Sequence, residues 1–130
     1  MKPLVQIPVF PGTNCQHEMA AVFEAAGARA ELVLYYDLVT SRKRLHECDL
    51  IGWPGGFSYG DHLRAGWIAA LILVHRFGEQ LNRILERKIP MIGICNGFQI
   101  LESTGLLSGR IGEPAAIMDQ NITATFEHWS

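Results

Sequence analysis

Apolar runs rich in Val, Ile and Leu alternate with longer amphipathic stretches through the first half of the chain, and Gly or Pro marks most of the changes. This is the strand-helix rhythm of a parallel sheet. Leu4 to Phe10 reads as a buried strand. Pro11-Gly12-Thr13-Asn14 is a turn that supplies Asn14 as the cap of a helix over Cys15 to Ala26, stopped at Gly27. Glu31 to Tyr36 is a second strand, Thr40 to Cys48 a short helix or turn, and Asp49 to Trp53 a third strand. The loop Gly55-Gly56-Phe57-Ser58-Tyr59-Gly60-Asp61 follows, with Asp61 placed to cap the next helix. That helix carries Leu63, Trp67, Ala70, Leu71 and Val74 on one stripe and extends to about Lys88, with a break near Gly78. A last apolar strand runs straight into a helix at Cys95, which ends near Ser103 and is closed by Gly105.

After Gly109 the pattern weakens. Ala115 to Met118 and Ile122 to Phe126 are candidate strands, and Glu127-His128-Trp129-Ser130 stops in what reads as the middle of an element. A parallel strand left uncovered on one face exposes apolar surface. The expectation is therefore a chain truncated at its C-terminus, or one whose final strands pair with something else.

Composition narrows the function classes. With 130 residues and 48% hydrophobic content, the chain can bury one core and forms one domain spanning 1-130. Net charge is −2, and the one short basic cluster, Arg42-Lys43-Arg44, reads as a solvated helix end, so no nucleic-acid partner is expected. The longest apolar run, Ala65 to Val74, falls well short of the roughly 20 residues needed to cross a bilayer. Met1-Lys2-Pro3 leads into a strand rather than a signal peptide, and a soluble, cytoplasmic protein without membrane contact is expected. Cys15, Cys48 and Cys95 are widely spaced and odd in number, which fits reduced thiols and no structural metal.

The chemistry centres on Gly93-Ile94-Cys95-Asn96-Gly97. A side chain at so sharp a strand-to-helix corner needs small residues two positions either side, because a Cβ at Gly93 or Gly97 would collide with neighbouring backbone. The thiol is thereby pushed outward at a helix N-terminus, where free N–H groups favour negative charge. Thiolate is the form that attacks a carbonyl carbon, so Cys95 is the candidate nucleophile. Its attack generates an oxyanion that needs N–H donors about 3 Å away. The backbone N–H of Asn96 is one candidate, and Gly55-Gly56 at the end of a neighbouring strand supplies the other, because ligands of open α/β sheets bind beyond the carboxyl ends of the strands. The base is harder to find. None of His17, His46, His62, His75 and His128 is followed by a carboxylate at a spacing that suggests a dyad, and His75 continues the apolar stripe of its helix.

Assembled, these motifs resemble the glutaminase subunits and domains of phosphoribosylformylglycinamidine synthase, class I glutamine amidotransferases of purine biosynthesis. The resemblance rests on Phe10-Pro11-Gly12-Thr13-Asn14-Cys15, on the loop from Pro54 through Asp61 to Gly66, on Gly93 to Gln99, and on Asn121 followed by Phe126-Glu127. It implies a flavodoxin-like open parallel sheet with helices on both faces. It also implies that Cys95 forms a glutamyl thioester, that Gly55 or Gly56 and Asn96 stabilise the oxyanion, and that Phe57 and Gln99 contact glutamine. Ammonia then serves a separate synthetase subunit or domain, which alone uses ATP and Mg; this chain carries no cofactor of its own. The family's His-x-Glu-like motif lies beyond a Phe-Glu-x-x-Trp-like segment, and Phe126-Glu127-His128-Trp129 is one residue short of that pattern. His128 does not fill the role, since Ser130 stands where a carboxylate is needed. Two further readings are a shortened, non-catalytic docking module, and a Cys-dependent hydrolase of the wider superfamily with Glu18 or Glu24 as a local base.

Overall fold

In a computed structural model, residues 1–114 are described. They form a parallel sheet of four strands in the order β2-β1-β3-β4: β1 Leu4–Val9, β2 Arg29–Leu34, β3 Leu50–Trp53 and β4 Met91–Gly93. The connecting helices are α1 Gln16–Ala25, α2 Tyr35–Val39, α3 Trp67–Glu86 and α4 Asn96–Thr104, with a 3₁₀ turn at Ser58–Asp61. The candidate strands at 115–118 and 122–126, and His128, lie outside the described residues.

Alternation along the strands divides the core between the two faces of the sheet. Val5 and Ile7 pack with Met19, Phe23 and Ala28 on the α1 side. Ile51 and Trp53 face the other way, against Leu73, Phe77 and Leu81 of α3 and Ile100 and Leu101 of α4. Helices therefore cover both faces, as expected of this fold class. Register is continuous across the sheet, with Gln6 opposite Ile51 and Ile51 opposite Met91. On the α1 side, Ile92 of β4 is 46% exposed, so apolar strand surface is open there among the described residues.

Three expectations need correction. The second strand ends at Leu34 rather than Tyr36, because the Asp37 carboxylate accepts the Leu34 N–H at 3.2 Å and starts α2 there. The position before α1 is Cys15 rather than Asn14, and no side chain caps it. Asp61 does not cap α3: Tyr59, Gly60, Asp61 and Leu63 all have φ between 54° and 67°, a run that cannot be helical, and α3 starts only at Trp67 behind Gly66. The buried stripe of α3 is accordingly Ala70, Leu73, Phe77, Leu81 and Ile84, while Leu63 is 90% exposed. His75 is exposed, off that stripe. The break near Gly78 is a local departure from helical geometry at Phe77 (φ −122°, ψ 24°).

Candidate active site

The strand order 2-1-3-4 reverses direction between β1 and β3, and in an open α/β sheet the crevice at that switch point takes the ligand. The loops after β1 and β3 meet there as an isolated antiparallel bridge between Thr13 and Gly56. The Gly55 carbonyl accepts the N–H groups of Asn14 and Cys15 at 3.4 and 3.2 Å, and the Phe57 N–H reaches the Gly12 carbonyl at 2.9 Å. This leaves the N–H groups of Gly55 and Gly56 without a backbone acceptor among the described residues. Gly56 has φ +141°, and a Cβ there would sit 2.6 Å from the Asn14 nitrogen, so only glycine suits the position.

The corner after β4 completes the arrangement. Cys95 adopts φ 54° and ψ −115°, a backbone conformation that costs a non-glycine residue on the order of 1–3 kcal/mol and that tends to persist where function demands it. Its thiol is exposed. A Cβ at Gly93 would meet the Phe98 nitrogen at 2.9 Å, and one at Gly97 would overlap the Trp53 carbonyl, so both small residues are sterically required. Asn96 opens α4, and its N–H, like those of any first helical turn, has no partner within the helix.

A cavity of about 510 Å³ lies over these groups, and Asn14, Cys15, Gly55, Gly56, Phe57 and Cys95 are among its lining residues. Three loops that are remote in sequence thus converge on one space. Most of its remaining wall is apolar and comes from Met19, Val22 and Phe23 of α1 and from Ile92 and Ile94. Cys15 Sγ and Cys95 Cβ lie 3.6 and 3.7 Å from the place a Cβ on Gly55 would occupy, so two cysteine side chains flank that glycine. Glu18 also lines the cavity, whereas Glu24 does not.

Of the predicted substrate contacts, Phe57 is 62% exposed at the cavity rim. Gln99 is not part of the lining; its Oε1 accepts a hydrogen bond from Asn96 Nδ2 at 3.3 Å. No histidine lines the cavity among the described residues. His17 and His62 are exposed, and His62 lies in a loop rather than a helical turn. His46 sits in a separate cavity with Arg44, Arg83 and Arg87, where burial above all, and the nearby guanidinium charges, hold its pKa below 6.5. Burial pushes the Cys48 thiol up from 9.0 to about 11, which removes it from nucleophilic roles.

Asn96, Ser58 and Asp61 form a connection that sequence reasoning missed. Asn96 is 1% exposed; its Oδ1 accepts the Ser58 N–H at 3.2 Å and its Nδ2 donates to Asp61 Oδ1 at 3.2 Å. The signal was present in the Phe-Ser-Tyr-Gly-Asp run, but reading Asp61 as a helix cap concealed it. Among the described residues, no cluster of His, Cys, Asp or Glu is arranged to hold a metal ion, and no helix is long and apolar enough to cross a membrane.

An open, parallel α/β sheet that presents a strained, exposed cysteine at a strand-to-helix corner, facing a glycine pair on the neighbouring loop, defines a flavodoxin-like domain. Residues 2–129 match the family model of the CobB/CobQ-like glutamine amidotransferase domain, and the chain belongs to that family. It is 42% identical over 118 residues to a phosphoribosylformylglycinamidine synthase subunit PurQ of Dehalococcoides mccartyi, covering 90% of this chain and 46% of that one. The PurQ subunit of Pyrococcus furiosus is 45% identical over 105 residues, covering 81% and 43% of the two chains. The solved structure of PurLQS from Thermotoga maritima is similar with a TM-score of 0.65 and 37% identity, over 78% of this chain and 43% of that one. The chain therefore spans about half the length of the curated relatives it matches.

Proposed function

We propose that this chain carries the nucleophilic half of a glutaminase that feeds ammonia to phosphoribosylformylglycinamidine synthesis. The observation that carries the reading is the left-handed elbow at Cys95, opening onto the same cavity as Gly55 and Gly56. The Cys95 thiolate adds to the side-chain amide carbon of glutamine, and the resulting oxyanion is met by the Asn96 N–H and that of Gly55 or Gly56. Collapse breaks the C–N bond as the leaving NH2 takes up the proton given up by the thiol and departs as ammonia, and a glutamyl thioester remains on Cys95. Water then adds to the thioester carbon, the C–S bond breaks, and glutamate departs. Phe57 closes one side of the substrate space, and Gln99 serves the pocket through its bond to Asn96.

The names of the relatives support a synthetase partner as the recipient of the ammonia. In this reading ATP and Mg act on formylglycinamide ribonucleotide in that separate subunit or domain. A cytoplasmic setting accompanies that role. The general base belongs, in this reading, to a His-x-Glu segment in the part of the relatives' length that this chain does not span.

The test is glutamate release by the 130-residue chain beside a version continued through such a segment. General acid-base assistance is typically worth roughly 10²- to 10⁴-fold, and the longer version is expected to be faster by that order. Equal rates would move the base into these 130 residues, among which Glu18 lines the cavity. Absence of both turnover and Cys95 acylation would favour a non-catalytic docking module.

A further inference from the structure

We infer that Asp61 is a positioning residue for the oxyanion site, acting on the nucleophile elbow through the Asn96 carboxamide. The inference rests on the reading of Cys95 as nucleophile. The two halves of the proposed oxyanion site belong to separate elements: one N–H is on Asn96 at the start of α4, the other on Gly55 or Gly56, just before the Ser58–Asp61 turn. Something must hold these elements in fixed relation, since an N–H displaced by even a fraction of an ångström loses much of its value to the transition state.

The Asn96 side chain makes that connection. It is almost completely buried, and it bridges the backbone N–H of Ser58 and the carboxylate of Asp61. Because the Ser58 N–H can only donate and Asp61 Oδ1 accepts, the amide is held in one orientation. No other side chain of this size offers both an acceptor and a donor in that geometry. The backbone of the loop supports the same view. Tyr59 and Asp61 both hold φ of 54° and Gly60 holds 67°, so the turn occupies a conformation that non-glycine residues avoid. Such strain persists where surrounding contacts over-determine it, and the Asp61 to Asn96 bond is one of the contacts that does so. Neither Ser58 nor Asp61 lines the cavity, so their effect reaches the reaction through the relation of the elbow to the Gly55-Gly56 loop.

The test uses the full chain with two reagents: a glutamine-derived diazoketone, which alkylates the thiol at its diazo carbon, that carbon taking up the thiol proton and losing N2 while the carbonyl oxygen occupies the oxyanion position, and iodoacetamide, which alkylates sulfur by direct displacement of iodide without an oxyanion. Asp61→Ala is expected to lower the maximal rate of Cys95 alkylation by the diazoketone at least tenfold, with the concentration for half-maximal rate changed less than threefold. Its iodoacetamide rate at Cys95 is expected to stay within twofold of the parent, and Asp61→Asn, which keeps the accepting oxygen, to restore diazoketone alkylation to within about threefold. A maximal rate in Asp61→Ala within twofold of the parent overturns the inference, as does failure of Asp61→Asn to restore it. If the parent chain itself is not alkylated at Cys95 by the diazoketone, the glutaminase reading fails instead. Should the buried Cys48 become labelled in Asp61→Ala, marking loss of the fold, Asp61→Ser carries the same comparison with the same thresholds.

Discussion

Gly97 and Trp53 are in backbone contact: a Cβ on Gly97 would overlap the Trp53 carbonyl group and lie 2.9 Å from Trp53 Cβ. The first turn of α4 is thereby pressed onto the end of β3, and the distance from the Cys95 elbow to the Gly55-Gly56 pair, two residues past Trp53, is set by that contact. Gly97→Ala is expected to destabilise the chain by about 1–3 kcal/mol, the usual cost of overpacking, because backbone rather than a side-chain tip must move. Denaturant unfolding measures it. Stability within 0.5 kcal/mol of the parent would mean that the corner is less tightly seated than described.

Gly56→Val is expected to harm both folding and reaction at Cys95. A Cβ there meets the Asn14 nitrogen at 2.6 Å and the backbone sits at φ +141°, so the loop that carries the oxyanion donor must move. Loss of one oxyanion donor costs roughly 3 kcal/mol in the transition state, so diazoketone alkylation of Cys95 should fall on the order of 10²-fold. A variant that melts lower yet is alkylated at the parent rate would reduce Gly56 to a turn residue.

Among the three thiols, Cys95 is expected to alkylate first, Cys15 next and Cys48 last at pH 8. Cys95 and Cys15 are exposed in one cavity, while Cys48 is buried and its thiol ionises only near pH 11. Timed labelling with peptide mapping decides the order, and preferential labelling of Cys15 would count against the elbow assignment.

Stability is expected to decline as pH rises from about 9 to 11. The Cys48 thiol is raised in the folded state from 9.0 to about 11 by burial, so the protonated form is favoured by folding; its contribution is complete below 9 and lost by 11. Two pKa units correspond to about 2.7 kcal/mol. Tyr59, raised by burial and by Tyr35, adds in the same direction at the alkaline end. Denaturant unfolding at pH 8 and 10.5 should show the loss, and Cys48→Ala should remove most of it; an unchanged slope in that variant would assign the effect elsewhere.

Much of the fold was legible because strands and helices differ in apolar period. The elbow was legible too, since only a strained corner explains Gly93 and Gly97 around a polar Asn96. What escaped is non-local. Asp61 looks like a helix cap in any window of sequence, and only the meeting of the β3 and β4 loops makes it a partner of Asn96. Tyr35 and Tyr36 favour strands by type, yet the Asp37 carboxylate takes the Leu34 N–H and turns them into a helix. The stripe of α3 slipped for a related reason: positive φ values at Tyr59, Gly60, Asp61 and Leu63 delay the helix start and rotate the buried face.

Gly52, in the middle of β3 on the α1 side, has a bearing on substrate size. A Cβ there would come within 2.7 Å of Met19 Sδ and 2.8 Å of Phe23 Cε2, and both side chains form cavity wall. The missing methyl group acts as a recess in the floor beneath α1, into which these two side chains settle. Filling it would drive Met19 and Phe23 up into the space that a ligand of Cys95 must occupy. The depth of the chamber is therefore gauged from below, by a residue that never touches its contents.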